Sequence, residues 1–126
     1  MATLTLTEEN FDATIANNDT VFIDFWAPWC APCRAFAPIF EKVAAAHPEV
    51  VFAKLNTEEQ QGIAAALQIQ SIPTLMIFRQ QVLLFAQPGM LPAPALEELV
   101  GKAAALDMEQ VHKTIAEQRE AQNEAA

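Results

Sequence analysis

Apolar, β-favouring residues run almost unbroken through Val21-Phe22-Ile23-Asp24-Phe25-Trp26, the pattern of a central strand covered on both faces. Upstream, residues 3–6 alternate apolar and polar like a short edge strand. Thr7-Glu8-Glu9-Asn10 reads as a helix start with Thr7 as its cap. Phe11, Ile15 and Ala16 supply the buried stripe of that helix, and Asn17-Asn18-Asp19 ends it. From Pro32 to about His47 the period becomes helical, with Phe36, Ile39, Phe40, Val43 and Ala44 on one side. Pro38 inside this stretch removes a backbone donor and is expected to kink the axis, and His47-Pro48 closes it.

Residues 50–55 form a second strand candidate and residues 58–67 a helix. Ile72-Pro73-Thr74 leads into a third strong strand, Leu75-Met76-Ile77-Phe78, on which residues 82–86 pair back as a hairpin. The linking Arg79-Gln80-Gln81-Val82 has neither Gly nor Asn. The favoured two-residue turns need positive φ, so a looser or longer connection is expected there. Pro88-Gly89 breaks the strand, and Pro92 and Pro94 suit the start of a last helix faced by Leu96, Leu99, Val100 and Ala103. The order β-α-β-α-β-α-β-β-α predicts an α/β fold: a mainly parallel sheet with helices on both faces and an antiparallel edge.

Residues 107–126 are a separate block without aromatics and rich in Ala, Glu and Gln. Met108, Val111 and Ile115 make a modest helical stripe. Beyond Ala116 nothing apolar is larger than alanine, so the end is expected to fray. The block reads either as a docking helix for a partner or a second copy of the chain, or as a solvated tail.

The 126 residues suffice for one domain with its own core, and 52% hydrophobic content lets it fold without metals or staples. Seven basic residues against sixteen acidic ones give a net charge of −9. That balance disfavours nucleic acid and anionic membranes as partners and reads as solubility. The first seven residues show no signal-peptide pattern. No apolar run approaches the roughly 18 residues needed to span a bilayer. A cytoplasmic protein is expected.

The chemistry lies in Trp26-Ala27-Pro28-Trp29-Cys30-Ala31-Pro32-Cys33, which holds both cysteines of the chain. Two thiols at i and i+3 across a helix start can close a small disulfide ring. The first also sits at the positive end of the helix, where a thiolate is favoured. The competing reading is half of a zinc site, but zinc normally takes four ligands, and His47 and His112 lack the spacing to complete it. A purely structural bridge over so short a loop would restrain the unfolded chain little. Asp24 stands inside an apolar strand, where an ionised carboxylate is costly unless paired. It is either a buried acid with raised pKa, suited to proton transfer, or an acid at an exposed strand end. Lys54 is either its partner or an ordinary surface lysine. Trp26 and Trp29 also read as core aromatics, with Trp29, beside Cys30, the one nearer the surface.

These residues resemble the thioredoxin family. Trp26 to Arg34 is similar to its W-A-x-W-C-G-P-C-K segment, Pro38 to its helix proline, Lys54-Leu55-Asn56 to its K-L-N and Ile72-Pro73-Thr74 to its I-P-T. The resemblance implies a thioredoxin fold: a mixed sheet of about five strands flanked by about four helices over residues 1–106, with 107–126 left over as an extra C-terminal helix or a frayed extension. It implies Cys30 as exposed nucleophile, Cys33 as resolving thiol, Asp24 as the buried carboxylate beneath them with Lys54 near it, and a cis Pro73 facing the disulfide. Trp29, Ala31, Pro32, Ile72, Pro73 and Gly89, extended to Met90, would frame an apolar surface for substrate peptides. Ala31 departs from the family's glycine, at a position that tunes the redox couple. A change of about 30 mV corresponds to roughly 1.4 kcal/mol.

The expected function is a protein disulfide reductase without cofactor or bound metal. It would act on disulfide-containing proteins, be recharged by a thioredoxin reductase-like donor, and exist as a monomer or a weak homodimer through the extension. The alternatives are a thioredoxin-fold binding module or co-chaperone, and a thiol oxidase or isomerase.

Overall fold

A computed structural model describes residues 2–125. Five strands form one sheet: β1 (Thr3–Thr5), β2 (Thr20–Trp26), β3 (Val51–Asn56), β4 (Thr74–Arg79) and β5 (Val82–Pro88), in the order β1-β3-β2-β4-β5. Between and after them come α1 (Phe11–Asn17), α2 (Ala31–Ala46), α3 (Gln61–Ala66), α4 (Ala93–Ala105) and α5 (Met108–Ala125). β1 and β2 both run parallel to β3, while β4 is antiparallel to both β2 and β5. The sheet is therefore evenly mixed rather than mainly parallel. The cause is local: β4 starts at the end where β3 stops, so the six-residue α3, about 9 Å long, need not carry the chain back along a strand.

The alternation of β2 sorts the core into two layers. Phe22 packs with Phe36, Phe40, Phe52, Leu75, Leu96 and Val100 between the sheet and α2 and α4. Val21, Ile23 and Phe25 face the other way, with Leu6, Ala53, Leu55 and Met76 and the half-buried Phe11, Ile15 and Ile63 of α1 and α3. The first layer is aromatic: Phe22–Phe52 stack at 5.0 Å, Phe40 meets Phe52 edge-on at 5.2 Å, and Phe36 and Phe40 lie 5.7 Å apart. Such contacts add about 0.5–1.5 kcal/mol each beyond burial.

Several boundaries move. Thr7 and Asn10 cap each other, the Thr7 N–H donating to Asn10 Oδ1 (2.7 Å) and the Asn10 N–H to Thr7 Oγ1 (3.4 Å), so regular helix begins one turn later, at Phe11. Ala16 is exposed and Thr14, whose hydroxyl donates to the Asn10 carbonyl, is buried in its place. α3 is shorter than the expected 58–67, because residues 57–59 form a turn instead.

The β4–β5 connection is tight, not loose. Gln80 and Gln81 alone link the strands, at φ 51° and 67°. Positive φ is unfavourable for glutamine, and outside contacts hold it there. The Gln80 N–H donates to the Asp19 carbonyl (2.7 Å) and the Gln80 amide to Asp19 Oδ1 (3.3 Å). His112 of α5 donates to Gln80 Oε1 (2.8 Å). Beside the turn, Arg79 donates to the carbonyls of Ala103 (2.8 Å), Ala104 (3.3 Å) and Leu106 (3.0 Å), capping α4, and to Asp19 Oδ2 (3.1 Å).

α5 continues as helix to Ala125 rather than fraying after Ala116. Met108 is buried and Val111 and Ile115 half-buried, so the apolar stripe turns toward the body; every other described α5 residue is exposed.

Candidate active site

β2 ends at Trp26, and Ala27-Pro28-Trp29 turns the chain into α2. Cys30 is the N-cap: its sulfur accepts the Cys33 N–H (3.2 Å), its carbonyl accepts the Arg34 N–H (3.1 Å), and its own N–H donates to the Ala27 carbonyl (3.2 Å). The helix start thus aims a backbone donor at the first sulfur, an arrangement that favours a thiolate there. Arg34 reaches back to donate to the Pro28 carbonyl (2.9 Å) and braces the loop. Cys30 and Cys33 are joined in a disulfide with Cα atoms 5.2 Å apart.

One expectation is corrected here. Cys30 is not open to water in this disulfide form: it is 4% exposed and Cys33 2%. Its N-cap position points the sulfur into the mouth of the helix, where the Ile72 carbonyl oxygen lies 3.7 Å away. The exposed neighbour is Trp29, at 65%.

The wall opposite the disulfide is the loop entering β4. The Ile72–Pro73 bond is cis, and the Pro73 carbonyl accepts the Gly89 N–H (2.8 Å). Gly89 sits at φ 100°, with nothing within 4 Å of where a Cβ would stand. Backbone conformation, not crowding, selects glycine there. Ala31, Pro32 and Gly89 are exposed, as is Met90, while Ile72 is half-buried and Pro73 buried.

Asp24 lies on β2 with the parity of Phe22, hence on the face that α2 covers. It is 0% exposed, and neither carboxylate oxygen has a hydrogen-bond partner. Burial pushes its pKa up to about 7, opposed by the charge of Lys54. Lys54 is its register partner on β3, half-buried, with Nζ 4.7 Å from the centre of the Trp26 ring. Lys54 and Trp26 line a cavity of about 570 Å³ shared with Thr3, Thr5, Glu41 and Glu59. A carboxyl that titrates near neutrality, without competing hydrogen bonds, is equipped to take and return a proton.

The fold sets the Ile72 carbonyl beside the Cys30 sulfur, joins Pro73 to Gly89, places Trp29 next to the cysteine pair at the α2 start, and pairs Asp24 with Lys54 across β2 and β3. Sequence reasoning missed Glu58, whose carboxylate accepts the Trp29 indole N–H, and the bracing role of Arg34. Glu58 carries no local signal, since it is an acid in an exposed turn 29 positions from its partner. Among the described residues no three His, Cys, Asp or Glu side chains gather in a way that could hold a metal ion. His47 is engaged with Glu49 and Glu97, and His112 with Gln80.

A family model described as Thioredoxin matches residues 2–102. The chain belongs to the thioredoxin family. A relative named "Putative thioredoxin 2" from Streptomyces coelicolor is 54% identical over 118 residues, covering 94% of this chain and 88% of its own. A thioredoxin from Alicyclobacillus acidocaldarius is 47% identical over 79 residues, 62% of this chain and 75% of that one. Among solved structures, a mutant thioredoxin from Halobacterium salinarum superposes with a TM-score of 0.76 at 29% identity, covering 82% of this chain and 91% of that one. This thioredoxin is a protein disulfide oxidoreductase that works by dithiol–disulfide exchange through Cys30 and Cys33. Thioredoxins act on disulfide-containing substrates and are reduced by thioredoxin reductase. No helix among the described residues is long and apolar enough to cross a membrane.

Proposed function

We propose that residues 1–106 act as a cytoplasmic electron carrier in which Cys30 attacks, Cys33 resolves and Asp24 manages the proton. In the dithiol form the Cys30 thiolate attacks one sulfur of a substrate disulfide. A mixed disulfide forms and the other substrate sulfur leaves as a thiolate, which takes up a proton. Asp24 accepts the Cys33 proton, Cys33 attacks the Cys30 sulfur, and the second substrate thiol departs. The substrate gains two electrons and the protein is left with the Cys30–Cys33 bridge, which the reductase reopens. Lys54 steadies the ionised Asp24. A reducing compartment suits this direction of flow, because it keeps the pair as dithiol between turnovers.

The observation that carries this reading is the buried, unpartnered Asp24 carboxyl on the sheet face covered by α2, the helix that the cysteine pair opens. Trp29, Ala31, Pro32, Ile72, Pro73, Gly89 and Met90 form the docking surface, where the exposed Trp29 and Met90 offer apolar contact. The inward turn of Met108, Val111 and Ile115 favours a monomer over a dimer through α5. The test is insulin disulfide reduction by wild type and Cys30→Ser. The variant is expected to lose turnover, and equal rates would remove Cys30 from the mechanism. A redox titration against glutathione separates this reductase from an oxidase or isomerase, which would need a more oxidising couple.

A further inference from the structure

The disulfide is almost covered, yet it must meet protein partners, and the large side chain standing freest beside it is Trp29 at 65% exposed. So exposed an indole has little packing to fix its pose. A braced turn supplies what packing does not. Thr57 donates twice to the Trp26 carbonyl, from its N–H (2.8 Å) and its hydroxyl (3.1 Å), tying the segment after β3 to the end of β2. Asn56 Oδ1 accepts the N–H groups of Glu58 (2.9 Å) and Glu59 (3.4 Å), and the Gln61 amide donates to the Glu58 carbonyl (3.1 Å). From this fixed backbone the Glu58 carboxylate reaches across and takes the Trp29 indole N–H.

We propose that Glu58 is a positioning residue for thiol exchange: its hydrogen bond to Trp29 holds the indole as a preformed platform beside Cys30 for disulfide-bearing protein segments. This rests on the docking role of Trp29 given above and adds what sets its pose. The role is hydrogen-bond acceptance, not charge. Preordering lowers the cost of ordering the platform at each encounter, so its loss falls on protein substrates, which need the platform, and spares small disulfides, which do not.

The experiment compares wild type, Glu58→Ala and Glu58→Gln, the last keeping an acceptor oxygen without the charge. Each is assayed with insulin and with the small disulfide 5,5′-dithiobis(2-nitrobenzoate), and the Trp29 indole N–H resonance is followed by NMR. Glu58→Ala is expected to raise KM for insulin about three- to ten-fold, the worth of one hydrogen bond, with kcat and the small-disulfide rate within about two-fold of wild type. The Trp29 resonance should move toward that of a free indole, and Glu58→Gln should restore both readouts. An unchanged insulin KM in Glu58→Ala, equal defects in the Ala and Gln variants, or equal slowing of both substrates would each overturn the assignment. Cys30→Ser in the same assays keeps the outcomes distinct: if it reduces insulin as fast as wild type, the exchange mechanism fails whatever Glu58 does.

Discussion

Two aspartates at opposite ends of β2 have opposite surroundings. Asp19, just before the strand, accepts hydrogen bonds from Thr20, Gln80 and Arg79, and these, Thr20 foremost, hold its pKa below the usual carboxylate value. Asp24, near the other end, is sealed from water with no partner, and burial raises its pKa to about 7. Around Asp19 the polar groups of the hairpin tip, the α4 terminus and α5 are satisfied by one another. Around Asp24 a carboxyl is left unsatisfied and an indole left in solvent. At one end the carboxylate is satisfied and tied into the fold, while at the other Asp24 alone is left without hydrogen bonds, as a titratable group.

The sharpest break in that contrast comes from removing Asp24. The unfolded state has a pKa near 4 and the folded state near 7, so the folded protein binds the extra proton between them. Stability should therefore fall as pH rises from about 4 to about 7 and stay low above that. Asp24→Ala should abolish this slope. It is expected to be more stable than wild type at pH 8 by up to roughly 4 kcal/mol, from three pKa units, with the gain vanishing near pH 4. Urea melts across pH check this. Identical pH profiles for variant and wild type would mean that Asp24 carries no such cost.

The contrast also separates what the sequence made legible. β2 is legible because its apolar run is almost unbroken, and α2 because its apolar positions keep one helical period. The paired sulfurs and the acid inside β2 were readable for the same reason, since a polar residue interrupting such a run stands out. The tight turn at Gln80-Gln81 was not, because contacts from Asp19 and His112 impose its backbone rather than its own propensity. The length of α5 was underestimated because helix after Ala116 shows no apolar stripe. The low exposure of Cys30 depends on residues 42 positions downstream, which no local pattern reveals.

At the opposite end, Arg79→Ala should do the reverse of Asp24→Ala. It unties the carbonyls of Ala103, Ala104 and Leu106 at the end of α4, and Asp19, and a loss of about 2 kcal/mol is expected in denaturant melts, with insulin reduction by the folded protein unchanged. A parallel loss of exchange rate would show that the two ends are coupled after all.

The smallest effect concerns His47, which ends α2 and bridges to Glu97 on α4 and to Glu49. The hydrogen bond to Glu97, foremost, raises its pKa. A raised histidine stabilises fully below its unfolded value near 6.5, and the contribution is lost as pH climbs through the folded value. Against His47→Gln, wild type should gain about half a kcal/mol or less at pH 6, given solvent screening, and nothing at pH 9. An equal difference at both pH values would assign the effect to packing instead.

The reversal of β4 against β2 has a consequence for a growing chain. It is what sets Ile72 and Pro73 across from Cys30, because both strands meet at the same rim of the sheet. A polypeptide that ends at residue 60 holds both sulfurs and the α2 sequence, but not the wall that shields them. Until the next dozen or so residues arrive, its thiols stand bare to any oxidant in the surroundings.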